Sequence, residues 1–115
     1  MNYAQNYFLD IKLHYFLELD FQPNRPLVIW GAGFKGKTIA KTLVKKGIPF
    51  YWICDTPKKI GKHIYNQPLK AFEFLEQLQN SQSIITVANT EAQKEIRAYL
   101  HNQKMTSMND YFFFC

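Results

Sequence analysis

The sequence predicts an α/β fold: three layers built on a parallel sheet of four or five strands, about half of a doubly wound architecture, with one extra helix in front. Three observations carry that expectation. Leu27, Val28, Ile29 and Trp30 form an unbroken apolar run that stops at a glycine, the pattern of a strand buried on both faces. Behind the glycines, Ile39, Ala40, Leu43 and Val44 recur at helical spacing up to Gly47, which stands where a helix would end. Further β-type runs at 50–54 and 83–88 alternate with helical patterns, as a parallel sheet requires. At 115 residues this is one small domain with a single core.

The first element is a helix over residues 3–19. Asp10, His14 and Glu18 make a narrow polar stripe, while Tyr7, Phe8, Leu9, Ile11, Leu13, Tyr15, Phe16, Leu17 and Leu19 fill most of the remaining circumference. Such a helix needs more than one neighbour, so it is expected either to cover the sheet or to form a homodimer seam or a seat for a partner domain. It is too often charged to cross a membrane. Pro23 and Pro26 end it in a linker, which divides the chain into a helix-and-linker segment, 1–22, and a nucleotide-binding domain, 23–115.

After the first strand, loop and helix comes the strand 50–54, ending at Asp55. A short amphipathic helix is expected over 69–78, with Phe72, Leu75 and Leu78 packing. The strand 83–88 is rich in β-branched residues. Thr90 and Gln93 read as a capping box opening a helix whose inner face is Ala92, Ile96, Tyr99 and Leu100. The aromatic run 111–115 reads as a last strand at the sheet edge. Asn89 falls in the loop at the carboxyl end of a strand, the edge where ligands bind in open α/β sheets; a turn former is the plainer account of it.

The chemistry concentrates between the first strand and its helix, where one set of residues satisfies two patterns. Gly31, Gly33 and Gly36 make G-x-G-x-x-G, the dinucleotide-binding fingerprint, and Gly31, Gly36, Lys37 and Thr38 make G-x-x-x-x-G-K-T, the triphosphate P-loop. In the P-loop reading Lys37 reaches terminal phosphates, Thr38 holds magnesium and Asp55 serves as the second acid. The Rossmann reading is preferred. Gly33 has no role in a P-loop but admits a pyrophosphate in a Rossmann turn. Asp55 follows Gly36 by 19 residues, near the interval of about 20 for an acid that meets a ribose. The expected binding set is Gly31, Ala32, Gly33, Phe34, Lys35, Gly36, Asp55 and Asn89, for NAD or a nucleotide sugar. Asp55 would repel a 2′-phosphate, which favours NAD over NADP. A domain that keeps the fold without a ligand and docks a partner through its first helix is the alternative; a small P-loop phosphotransferase is a third.

Charge and cysteines bound the rest. The formal charge of +5 suits anionic ligands, but the lysines are scattered and no basic run interleaved with aromatics marks nucleic acid. Cys54 and Cys115 have no metal spacing and are expected to be reduced thiols of a cytoplasmic protein; His14, His63 and His101 are isolated from one another and from them, so no metal site is expected. No catalytic acid, base or nucleophile declares itself. Lys58, Lys59 and Lys62 read as a solvated loop, with a sugar diphosphate or 2′-phosphate contact as the alternative.

The glycine loop together with D-x-P-x-K-x-G-x-x-I-x-x-x-P, here Asp55, Pro57, Lys59, Gly61, Ile64 and Pro68, resembles the Rossmann-like module of bacterial sugar-nucleotide and surface-polysaccharide enzymes. The stretch WICDTPKKIGKHIY is similar to the small domain appended to some bacterial glycosyltransferases. The likeness runs from Pro26 to the end and omits the first helix. It implies a nucleotide or dinucleotide on the loop, with Asp55 near the ribose, in a module that acts with another domain or subunit. Where many relatives carry two acids, this chain has Cys54 and Asp55, and it has Asn66 where they have glycine.

Overall fold

The computed structural model describes residues 3–115, with side chains from Tyr7 onward. Its centre is a six-stranded, mostly parallel sheet in the order β3-β4-β2-β1-β5-β6, made of β1 (Leu27–Trp30), β2 (Tyr51–Cys54), β3 (His63–Ile64), β4 (Gln67–Ala71), β5 (Gln82–Ile85) and β6 (Tyr111–Phe113). Only β3 runs antiparallel, against β4. With that edge strand set aside, the five parallel strands stand in the chain order 3-2-1-4-5. The chain therefore builds outward from β1 through β2 on one side and β5 on the other, which makes the carboxyl end of β1 the point where the order reverses.

The apolar run of β1 divides its side chains between two faces, as a strand of period two must. Leu27 and Ile29 join Leu9, Leu13 and Phe16 of the N-terminal segment and Ile39, Ala40 and Leu43 of α2 (Phe34–Lys46) in one core cluster. Val28 and Trp30 turn the other way, toward Leu75, Ile96 and Leu100. The second layer consists of a 3₁₀ turn, Phe72–Gln77, and α3, Thr90–Asn102. The first helix, α1 (Tyr3–Tyr15), runs into a π-helical turn, Phe16–Asp20, closed by the Phe21 N–H on the Phe16 carbonyl at 2.8 Å. It thus covers the sheet with one stripe, Leu9, Leu13 and Phe16, and shares the core of the rest. Arg25, 6% exposed, knits the amino edge: it donates to the carbonyls of Asn80 and Ser81 and pairs with Asp110.

Three expectations need correction. The sheet has six strands because residues 63–71 form a hairpin where no strand was expected, and the helix expected over 69–78 is a strand followed by a 3₁₀ turn. Gln67–Ala71 carries Pro68 and Lys70 and buries only Leu69, so it shows no alternation to read. The spacing of Phe72, Leu75 and Leu78 is three, which fits the 3₁₀ period better than 3.6. The capping box does not form: Asn89 caps α3, accepting from the Ala92 N–H at 2.9 Å, while the Gln93 amide turns to the Val87 carbonyl. The hairpin turn, Tyr65–Asn66, has φ of +51° and +63°, the pair of left-handed residues that a two-residue hairpin loop demands.

Candidate functional site

The loop between β1 and α2 is three residues long, because helical geometry begins at Phe34. Gly31 adopts φ +106°, which a side chain would resist, and its N–H donates to the Ile53 carbonyl at 2.8 Å. Three successive carbonyls are then held from three different segments. The Thr86 hydroxyl donates to the Trp30 carbonyl at 2.6 Å, the Trp52 indole N–H to that of Gly31 at 2.7 Å, and the Lys59 ammonium to that of Ala32 at 2.8 Å. With its acceptors tied off, the loop is preorganised and presents donors. The first bond of α2 runs from the Lys37 N–H to the Gly33 carbonyl, so the N–H groups of Phe34, Lys35 and Gly36 have no partner within the helix. A helix start of this kind favours an anion.

The three glycines are glycine for different reasons. A Cβ on Gly36 would lie 2.0 Å from the Gly31 carbonyl oxygen, and one on Gly31 would lie 2.6 Å from Thr86 Oγ1, so both are required for the helix to sit close on the strand end. Gly33 is different. Its φ is −81°, and a Cβ there would meet nothing within 4 Å.

Over this loop opens a groove of about 610 Å³, lined by Gly31, Ala32, Gly33, Phe34, Lys35 and Asp55 from the expected set. Gly36 is buried behind the lining. Asn89 is engaged as the α3 cap, and the groove's far wall is Thr86, Val87 and Ala88. Asp55, exposed at the end of β2, bonds to no described residue. It also lines a second cavity of about 320 Å³ between the 3₁₀ turn and α3, walled by Phe72, Ile96 and Tyr99 with Glu73 and Glu95 at its rim. Burial, reinforced by the Tyr99 hydroxyl donating to Glu76 at 2.8 Å, pushes Tyr99 up to about 12. The two cavities meet at Asp55.

Lys37 and Thr38, the residues a P-loop would use, line neither cavity. They flank α2 on the side facing Asp10 and Tyr65, and the Thr38 hydroxyl donates back to the Phe34 carbonyl at 3.0 Å. Cys54 is buried and Cys115 exposed, both free thiols, and no metal-ligating cluster occurs among the described residues.

Sequence reasoning missed the braces. Trp52 and Thr86 read as strand residues and nothing local marks their loop contacts. Lys59 had a signal, its place in the D-x-P-x-K pattern, but read as a solvated lysine. Compared with known proteins, the chain matches no family model and no curated protein.

Proposed function

We propose that the chain is a Rossmann-like nucleotide-binding module that takes NAD or a nucleotide sugar and serves sugar or polysaccharide biosynthesis alongside a catalytic domain or subunit. The observation that carries the proposal is Gly33: no atom of the chain comes within 4 Å of where its side chain would stand, so the space above the loop is open to a ligand. A pyrophosphate over residues 31–36 would take the free N–H groups of the α2 start. Its ribose would give hydroxyl protons to Asp55. The base would enter the cavity between Phe72 and Tyr99, two aromatic walls beyond Asp55. Lys59 braces the loop from behind and adds positive charge beneath the phosphates. The strand order supports this reading, because the groove lies where the order reverses. The position of Lys37 and Thr38 away from the groove speaks against the P-loop phosphotransferase alternative.

The test is a calorimetric screen of the purified chain with NAD, NADP, UDP-glucose and ATP with magnesium. Saturable binding of NAD or UDP-glucose, weakened by Asp55→Asn and with NADP weaker than NAD, is expected. Binding of none of the four, or of ATP only with magnesium, rejects the proposal.

A further inference from the structure

α1 and α2 pack against each other on the same face of the sheet and share one core cluster. α1 turns Leu9 and Leu13 inward and leaves Phe8, Ile11 and Tyr15 outside, and the π-helical turn buries Phe16 and leaves Leu19 outside; Phe8 is 68% and Leu19 75% exposed. On α2, Lys37, Lys41 and Lys45 follow one another at four-residue spacing, on a groove that meets α1 at Asp10, of its polar stripe, and the β3–β4 hairpin at Tyr65. None of the three lysines has a carboxylate at ion-pair distance among the described residues. Asp10 and Glu18, with the half-buried Asp20, are the acids of these two segments, three against the four lysines Lys12, Lys37, Lys41 and Lys45.

We propose that this face docks on an anionic lipid bilayer, α1 lying in the interfacial plane with Phe8, Ile11, Tyr15 and Leu19 among the acyl chains and the α2 lysines over the headgroups. Large apolar side chains next to unpaired lysines are what a peripheral anchor combines. A nucleic acid would answer the lysines but leave Ile11 and Leu19 in water. A second copy would bring the same net charge of +5 to the same surface. No described helix is long and apolar enough to cross the membrane, so the contact is one of lying on it. The nucleotide groove, at the carboxyl edge of the sheet, stays open to solvent.

The experiment is co-sedimentation with vesicles of phosphatidylcholine alone and of phosphatidylcholine and phosphatidylglycerol at about two to one, at low and physiological salt. The anionic vesicles are expected to bind the chain on the order of a hundredfold better, and less well as salt rises. Lys37→Gln, Lys41→Gln and Lys45→Gln together lower that affinity on the order of a hundredfold, about fivefold per lysine. Phe8→Ser with Leu19→Ser lowers it by about tenfold or more. Thermal midpoints stay within a few degrees of the parent's, since Phe8, Leu19, Lys41 and Lys45 are exposed and Lys37 is half-buried. Equal binding to both vesicles, no binding, or variants that bind like the parent overturns the proposal. So does a dimeric mass by light scattering that Phe8→Ser with Leu19→Ser makes monomeric, which assigns the face to a second copy.

Discussion

Replacing Gly36 by alanine and, separately, Gly33 by alanine separates a glycine the fold needs from one it does not. At Gly36 the new Cβ would stand 2.0 Å from the Gly31 carbonyl oxygen and 2.8 Å from its carbon. A comfortable carbon–oxygen contact is about 3.3 Å, so α2 must withdraw by roughly 1 Å. The obstacle is backbone, which cannot rotate aside. Overpacking of this kind costs about 3 kcal/mol, the upper part of its usual range. The disturbed bond from the Trp52 indole adds about 1 kcal/mol. The better helix propensity of alanine returns about 1 kcal/mol. The net loss of about 3 kcal/mol is a large part of the total stability of a small domain, and at about 4 °C per kcal/mol it lowers the thermal midpoint by roughly 12 °C. At Gly33, with φ −81° and open space, alanine is expected to change stability by no more than about 0.5 kcal/mol, the gain through the unfolded chain being offset by the preference for glycine over alanine at the N-cap of α2. Urea unfolding of both variants with the parent measures the difference. A Gly36→Ala protein as stable as the parent, or a Gly33→Ala protein weakened by more than about 1 kcal/mol, would refute the reasoning; the second result would mean that Gly33 serves the fold and reserves no space.

Arg25→Met should cost about 3 kcal/mol in urea unfolding, because it strands Asp110 and the carbonyls of Asn80 and Ser81 at the amino edge of the sheet. Tyr99 has a folded pKa of about 12 against 10.0 for the free side chain, so the folded state holds the proton longer. Its stabilising share is full below the unfolded value and is lost as pH rises from 10 toward 12; Tyr99→Phe should flatten that part of the stability–pH curve relative to the parent. Alkylation under native conditions should label Cys115 and spare Cys54, which is 1% exposed, until denaturant is added. Equal labelling rates for both thiols would contradict the burial of the β2 end.

The parts of the fold legible in the sequence are those where one physical signal dominates. Leu27 to Trp30 is apolar at every position because both faces of β1 are covered, and Gly47 ends α2 with φ +70°, the left-handed cap its position announces. The hairpin at 63–71 is illegible because it lies at the edge: Pro68 is exposed, Lys70 is half-buried with its ammonium over the Phe74 ring, and only Leu69 is buried. The site divides in the same way. Glycines and Asp55 announce themselves because their chemistry is local, whereas the donors that hold the loop come from positions 52, 59 and 86 and are brought to it only by the register of β2 and β5 against β1. Asn89 was visible as a loop residue at the right edge of the sheet, but its side chain is used by α3, which starts one residue later.

The measurement that bears most directly on the nucleotide-binding proposal is calorimetric titration of the parent, Gly33→Val and Lys37→Ala with NAD, UDP-glucose and ATP with magnesium. The parent should bind NAD or UDP-glucose. Gly33→Val should abolish that binding while unfolding within about 5 °C of the parent, since in the proposed complex the valine would take the space of the phosphates and within the chain it meets nothing within 4 Å. Lys37→Ala should leave the affinity within about threefold, the effect of one exposed charge outside the groove. Magnesium-dependent binding of ATP that Lys37→Ala abolishes and Gly33→Val spares would contradict the account.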